Sequence, residues 1–278
     1  MTPVTGFSKM SKIEKINWLA SQFEGESSQE IKKMDRFWNS DSSEQRRFDE
    51  FSENTLTNYY LPFGVAPNFL INGRHYTVPM VIEESSVVAA ASLGAKFWQS
   101  RGGFHAKILS TKKVGQVHFL WQGNKKNLAD FFNNSVASIR EDLRGLSMNM
   151  EKRGGGIGHI DLVDRTAELE NFWQIRMEFE TCDAMGANFI NSILEETARL
   201  FKTKLAESNL TASEREVNVI MCILSNYTPE CVVECHVECP IEDLGTFADG
   251  MNARTFAERF RTGVEIARID RSRAVTHN

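Results

Sequence analysis

No stretch of this 278-residue chain approaches the ~20 consecutive apolar residues that a membrane-spanning helix requires. Positive charge is also in deficit. The net charge is −5, which removes any overall electrostatic case for nucleic acid or an anionic membrane as partner. Residues 1–25 carry no secretory pattern, because Lys9, Lys12, Glu14 and Lys15 interrupt them. Cysteine is sparse and odd in number: Cys182, Cys222, Cys231, Cys235 and Cys239. That count argues against a disulfide framework and for free thiols in a reducing cytoplasm. There is no Gly-x-Gly-x-x-Gly, so the ordinary Rossmann fingerprint is excluded. No Ser-His-Asp or Cys-His pattern stands out, and repeats and low-complexity tracts are missing.

The composition that remains is globular, with 41% hydrophobic and 25% charged residues. Short helices with serine caps are expected over 11–23, 28–38 and 43–51. Asn72-Gly73 marks a hairpin between strands 65–71 and 75–82. The small apolar residues after Ser85-Ser86 predict a helix over 86–100, capped by one of those serines, buried on all sides and stopped near Gly102-Gly103. Strands are expected over 106–109, 114–121, 157–163, 172–179 and 231–240. Helices are expected over 128–146, 187–205, 214–225 and 255–269. The fold class is therefore α+β. A large mixed helix and strand domain (51–103 and 209–278) follows an N-terminal helical segment (1–50) and carries an inserted ferredoxin-like βαββα unit over 104–208.

Several constellations bear on chemistry. Glu83 and Glu84 end an apolar strand at the mouth of the small-residue helix. Partial desolvation there would raise a carboxyl pKa and prepare a general acid; equally, acids suit a solvated helix start. Asp183-Ala184-Met185-Gly186-Ala187-Asn188 joins a strand to a helix. Such a turn is either an anion site, built from orphan N–H groups and the helix dipole, or a packed connection capped by Asp183. The loop Lys152-Arg153-Gly154-Gly155-Gly156 is either a phosphate cradle or a flexible link. Of Asp161 and Asp164 on the next strand, alternation lets at most one reach a ribose. Cys231, Cys235 and Cys239, with His236, do not make a zinc site, because four residues of strand span about 13 Å; they read instead as thiols along a core face. Arg273, in a turn-like ending, has the fork to clamp a carboxylate.

Four blocks together resemble hydroxymethylglutaryl-CoA (HMG-CoA) reductase of the soluble bacterial-type class. They are Glu53-Asn54 with Leu61-Pro62-Phe63-Gly64-Val65-Ala66-Pro67-Asn68-Phe69; Pro79-Met80-Val81-Ile82-Glu83-Glu84-Ser85-Ser86-Val87-Val88-Ala89-Ala90-Ala91-Ser92; Asp183 to Asn188; and Arg273-Ala274-Val275-Thr276-His277-Asn278. The resemblance implies a two-hydride reduction of HMG-CoA to mevalonate and CoA with NAD(H) or NADP(H), or the reverse oxidation. It implies Glu84 as catalytic acid, and Ser86 and Arg273 as holders of the substrate carboxylate. Asp183, Ala184, Met185, Gly186, Ala187 and Asn188 become the dinucleotide turn of a small NAD(P)-binding domain. A homodimer or higher oligomer in the cytoplasm, with no metal, follows as well. An acid such as Asp161 on the strand after the glycine loop favours NADH by repelling a 2′-phosphate. Ser85 stands where the family has Pro, and Thr57 where it has Gly. The family's catalytic lysine directly follows Thr-His-Asn, and its catalytic aspartate and histidine come later. All three are expected beyond Asn278, so these residues read as an N-terminal part, inactive by itself. The rival expectation is a non-catalytic dinucleotide- or CoA-binding paralogue or subunit.

Overall fold

The structure, a computed structural model, describes residues 3–22, 27–247 and 250–277. In chain order its elements are α1 (Lys12–Ala20), α2 (Ser27–Asp35), α3 (Ser42–Asp49), β1 (Phe63–Ile71), β2 (Arg74–Val81), α4 (Val87–Gln99), β3 (His105–Thr111), β4 (Lys113–Leu120), α5 (Lys125–Asp142), α6 (Arg144–Glu151), β5 (Gly156–Asp164), β6 (Phe172–Glu180), α7 (Ala187–Ala206), β7 (Asn218–Leu224), β8 (Cys231–His236), α8 (Ala253–Ile269) and α9 (Arg271–His277). They form two compact units. One comprises Met1–Phe104 and Glu238–Asn278; the other is His105–Val237.

In the first unit, α1 opens on a capping box. Glu14 N donates to Ser11 Oγ at 3.3 Å, and Ser11 N donates to Glu14 Oε2 at 2.7 Å. Phe23, expected to end this helix, lies outside the described residues. Asp41 caps α3, and Lys12 pairs with Asp49 at 2.7 Å, tying α1 to α3. The hairpin β1–β2 forms as the Asn72-Gly73 pair predicts, with φ of 49° and 78° at those residues, the backbone of a two-residue turn that matches strand twist. Helix α4 packs across β1. It is not buried on all sides: Ala95 is its buried residue, while Ala89 and Ala90 are exposed and Leu93 is 71% exposed. A two-stranded hairpin covers one flank of a helix, so a helix apolar all round keeps an uncovered flank within this unit. The final segment differs from expectation too. Arg273 lies on helix α9 rather than in a turn, because Asp270 Oδ1 accepts from Arg273 N at 2.9 Å and starts the helix.

The second unit is a four-stranded antiparallel sheet in the order β5-β6-β4-β7, with α5 and α7 against it. Read along the chain this is β-α-β-β-α-β, the split βαβ arrangement. Val117, Phe119, Ile175, Met177 and Phe179 of the sheet meet Leu128, Phe132 and Ile139 of α5 and Ile190, Ile193, Leu194 and Phe201 of α7. Each such fully buried side chain contributes about 1.5–3 kcal/mol of transfer free energy. The segment 214–225, expected as helix, is the edge strand β7. Its run Val219-Ile220-Met221-Cys222-Ile223-Leu224 is too short for periodicity to separate helix from buried strand, and pairing with β4 decides it. The unit therefore runs past the expected end at 208 to take in β7 and β8. Strand β8 pairs with β3 and is exposed throughout, so Cys231 and Cys235 face solvent rather than a core. No group of three or more metal-ligating side chains occurs among the described residues.

Glu214 staples this unit. The residue is 6% exposed, and its carboxylate accepts from Asn124 N (3.1 Å), Asn127 Nδ2 (2.9 Å) and Thr211 Oγ1 (2.8 Å). These bonds, the backbone one first, hold its pKa at about 2 against an ordinary 4.5. A depressed carboxyl pKa stabilises the fold above the unfolded value and loses that contribution as pH falls through the folded one. Urea unfolding should therefore show wild type more stable than Glu214→Gln near neutrality, with the gap closing between about pH 4.5 and about pH 2. A gap independent of pH over that window would refute the assignment.

Candidate functional site

The first cluster lies in the first unit, where β2 ends and α4 begins. Ile82 leaves the strand, Glu83 and Glu84 form a bend, and Ser85 and Ser86 turn into the helix. Both acids are exposed, so the burial expected for Glu84 is not supplied by this corner. Ser86 occupies the N-cap position with φ 71° and ψ −21°, and its hydroxyl makes no capping bond. The expected serine cap is thus absent: a left-handed residue cannot aim its side chain back at the first turn, and only its carbonyl joins the helix, accepting from Ala90 N at 2.7 Å. A non-glycine residue in this region costs about 1–2 kcal/mol, and such residues concentrate at binding sites. The result is a hydroxyl not engaged in capping, next to a helix N-terminus with no acid in its first turn. That combination suits a carboxylate ligand. Arg273, the other residue expected at the substrate carboxylate, is exposed on α9, which packs on α8. The His277 side chain and Asn278, from the same block, lie outside the described residues.

The second cluster lies in the other unit, between β6 and α7. Gly186 is the N-cap of α7 with φ 83°, and no side chain caps the helix. Asp183 is exposed and is not the cap. A side chain at Gly186 would collide with Thr181, which is buried beneath it. The first helical N–H with an intrahelical partner belongs to Ile190, which donates to Gly186 O at 2.9 Å. The N–H groups of Ala187, Asn188 and Phe189 precede it at the positive end of a 20-residue helix, again with no acid in the first turn. Nothing in the first turn competes with an anion, so the turn fits a pyrophosphate. The glycine loop is brought to the same place. Gly156 pairs with Glu180, and Cys182 Sγ donates to Arg153 O at 3.1 Å. Two segments read separately in the sequence are thereby one surface, with Lys152 and Arg153 exposed beside it.

Asp161 stands five residues further along β5. Its carboxylate meets His159 Nε2 at 2.6 Å and Arg176 Nη1 at 3.9 Å. Arg176 is shared with Glu178 (3.0 Å) and Glu230 (3.1 Å). Arg176 lies closer to Glu178 and Glu230 than to Asp161, so Asp161 keeps its place as an acid on the strand after the glycine loop. Asp161 and Asp164 both border a cleft of about 710 Å³ between α5 and β5, although strand alternation set them apart.

Sequence reading missed Lys113. Its ammonium donates to Thr181 Oγ1 (2.5 Å), Ala184 O (2.6 Å) and Met185 O (3.1 Å), across the base of the turn. Nothing local signalled it, because those partners lie 68 to 72 residues away.

The family model described as Hydroxymethylglutaryl-coenzyme A reductase matches residues 13–278. A 3-hydroxy-3-methylglutaryl-coenzyme A reductase of Archaeoglobus fulgidus is 32% identical over 196 residues, covering 70% of this chain and 44% of that protein. A Borreliella burgdorferi protein, named as a probable reductase of the same kind, is 32% identical over 154 residues, or 54% of this chain and 34% of its own length. The matched stretch thus spans less than half of each of these relatives. Among solved structures, the class II 3-hydroxy-3-methylglutaryl-CoA reductase of Streptococcus pneumoniae bound to NADPH in open conformations superposes with a TM-score of 0.71 at 29% identity, over 100% of this chain and 70% of that one.

Proposed function

The chain belongs to the hydroxymethylglutaryl-coenzyme A reductase family, and on that premise we propose that it supplies the acid and the dinucleotide turn of an oxidoreductase converting HMG-CoA, two NAD(P)H and two protons to mevalonate, CoA and two NAD(P)⁺, or the reverse. The observation that carries this reading is the uncapped start of α7 behind Gly186, within the Asp183–Asn188 block. NAD(P)H supplies the two hydrides when bound. The chain's own part is positional and electrostatic. The N–H groups of Ala187 and Asn188, with the α7 dipole, hold the pyrophosphate. The Ser86 hydroxyl and the Arg273 guanidinium hold the substrate carboxylate, the former backed by the start of α4. Glu84 would protonate the thioester oxygen in the first reduction, giving the hemithioacetal; that hydroxyl then gives up its proton as the C–S bond breaks and CoA leaves as the thiol, and Glu84, reloaded from solvent, would protonate the aldehyde oxygen in the second reduction.

The same reading makes the assembly a homodimer or larger, in the cytoplasm. Leu93, Phe63, Val65 and Val81 of the first unit present apolar surface consistent with burial in an assembly. Among the described residues no helix is long and apolar enough to cross a membrane. In the family a lysine directly follows Thr-His-Asn; we propose that residues 1–278 do the binding and that the family lysine polarises the thioester oxygen.

Isothermal titration of NADPH and of NADH into the chain tests the core of the proposal. Saturable one-site binding of at least one of them is expected, with Gly186→Val abolishing it. Failure of both dinucleotides to bind would remove the reading.

A further inference from the structure

We propose that Lys113 is a positioning residue that sets the dinucleotide turn from beneath and charges it, an inference that rests on the reading of Asp183–Asn188 as the dinucleotide site. Lys113 opens β4, opposite Phe179 of β6. Its ammonium has three donors, and the fold provides three acceptors: Thr181 Oγ1, Ala184 O and Met185 O. Thr181 is 1% exposed and itself donates to Ala184 O at 2.7 Å, so the clamp has a buried anchor. With all its donors engaged, Lys113 does not itself hold a ligand.

Its effect passes through the backbone. A trans peptide points its C=O and the next N–H in opposite directions. Drawing the carbonyls of Ala184 and Met185 onto Lys113 therefore turns the N–H groups of Met185 and Gly186 away from it, on the side opposite the clamp. Gly186, left-handed and closed against Thr181, then leads into the N–H groups of Ala187 and Asn188. The clamp thus sets the direction of consecutive donors that a pyrophosphate would meet.

The second effect is electrostatic. A cation behind a helix N-terminus adds to the positive end of the dipole and favours an anion in front of it. Two acids stand nearby: Glu180, whose carboxylate accepts from Cys182 N at 2.9 Å and from Thr111 Oγ1, and Asp183, exposed in the turn itself.

The test compares wild type with Lys113→Met and Lys113→Gln. NADPH and NADH are titrated calorimetrically at several salt concentrations, with circular dichroism and melting as controls. Backbone ¹H–¹⁵N spectra follow the amides of Met185 to Asn188. The expected result is a folded Lys113→Met that binds either dinucleotide roughly 5- to 30-fold more weakly. Its salt dependence should be shallower, and the NADPH-induced shifts of those four amides reduced. A lysine that merely stabilises the fold would lower the melting temperature and leave the affinity of folded protein and its salt slope unchanged; that outcome overturns the proposal. If Lys113→Met does not fold, Lys113→Gln, neutral but able to hold two of the acceptors, decides by the same criteria. Wild-type spectra with no NADPH-induced shift at Met185 to Asn188, despite binding, also overturn it. Failure of wild type to bind either dinucleotide removes the site itself, a result seen in the wild-type arm before any variant is made.

Discussion

A polypeptide of residues 1–278, assayed by the absorbance of reduced nicotinamide with HMG-CoA or mevalonate, turns over at least ~10²–10³-fold more slowly than one continued through the family's lysine. That factor is the usual loss when a preorganised donor to a developing oxyanion is removed. On the proposed reading, these residues supply an acid at Glu84, a hydroxyl at Ser86 and the turn at Asp183–Asn188 for the dinucleotide. Arg273 is the one Lys or Arg in the four blocks, and the proposal assigns it to the substrate carboxylate rather than to the thioester oxygen. Binding should survive, because the α7 turn is complete within the second unit. Turnover by the 278-residue polypeptide within tenfold of the longer one would overturn the division between binding and chemistry. The comparison is between two polypeptides and does not depend on the length of the natural chain.

In the lysine-bearing form, Glu84→Gln should lower kcat by about 10²–10⁴-fold, the range for loss of a positioned general acid. The amide has nearly the volume of the carboxyl and cannot deliver its proton. Affinity for NADPH should stay within about twofold to threefold of wild type, because the pyrophosphate donors proposed at the start of α7 do not include Glu84. Glu83→Gln is the control. The neighbouring acid occupies the same bend and is equally exposed, so a comparable loss from Glu83→Gln would transfer the role or show it to be one of net charge. A loss below about tenfold for Glu84→Gln would remove Glu84 from the chemistry.

How far the sequence carried depends on how local each determinant is. Asn72-Gly73 specifies its own turn, so the β1–β2 hairpin was legible to within two residues. The long stripe of α7 was equally plain. The strand β7 was not, because its six apolar residues fit a helix as well as an edge strand, and only pairing with the distant β4 decides. Ser85 or Ser86 was expected to cap α4, and Ser86 takes the N-cap position without making the side-chain bond. Serine favours helix caps, but here the chain enters α4 through the left-handed region and leaves the hydroxyl out of the cap. Asp161 was visible as an acid on a strand; its partners, His159 beside it and Arg176 across the sheet, became visible only once β5 and β6 were paired in register. Asp183, the cap in one of the two readings of that turn, yields to Gly186, because a capping side chain needs an extended backbone and the turn instead closes against Thr181.

The pairing of β3 with β8 has a consequence for the ancestry of the second unit. His105 sits opposite His236, so the chain enters and leaves the unit on neighbouring strands, about 5 Å apart. A module whose ends lie that close can be spliced into a host loop with little added closure entropy. It can be exchanged, duplicated or lost as a cassette without unravelling its own sheet. The two-stranded ribbon is in that sense a graft junction, and relatives that keep the cassette can diverge in the host around it.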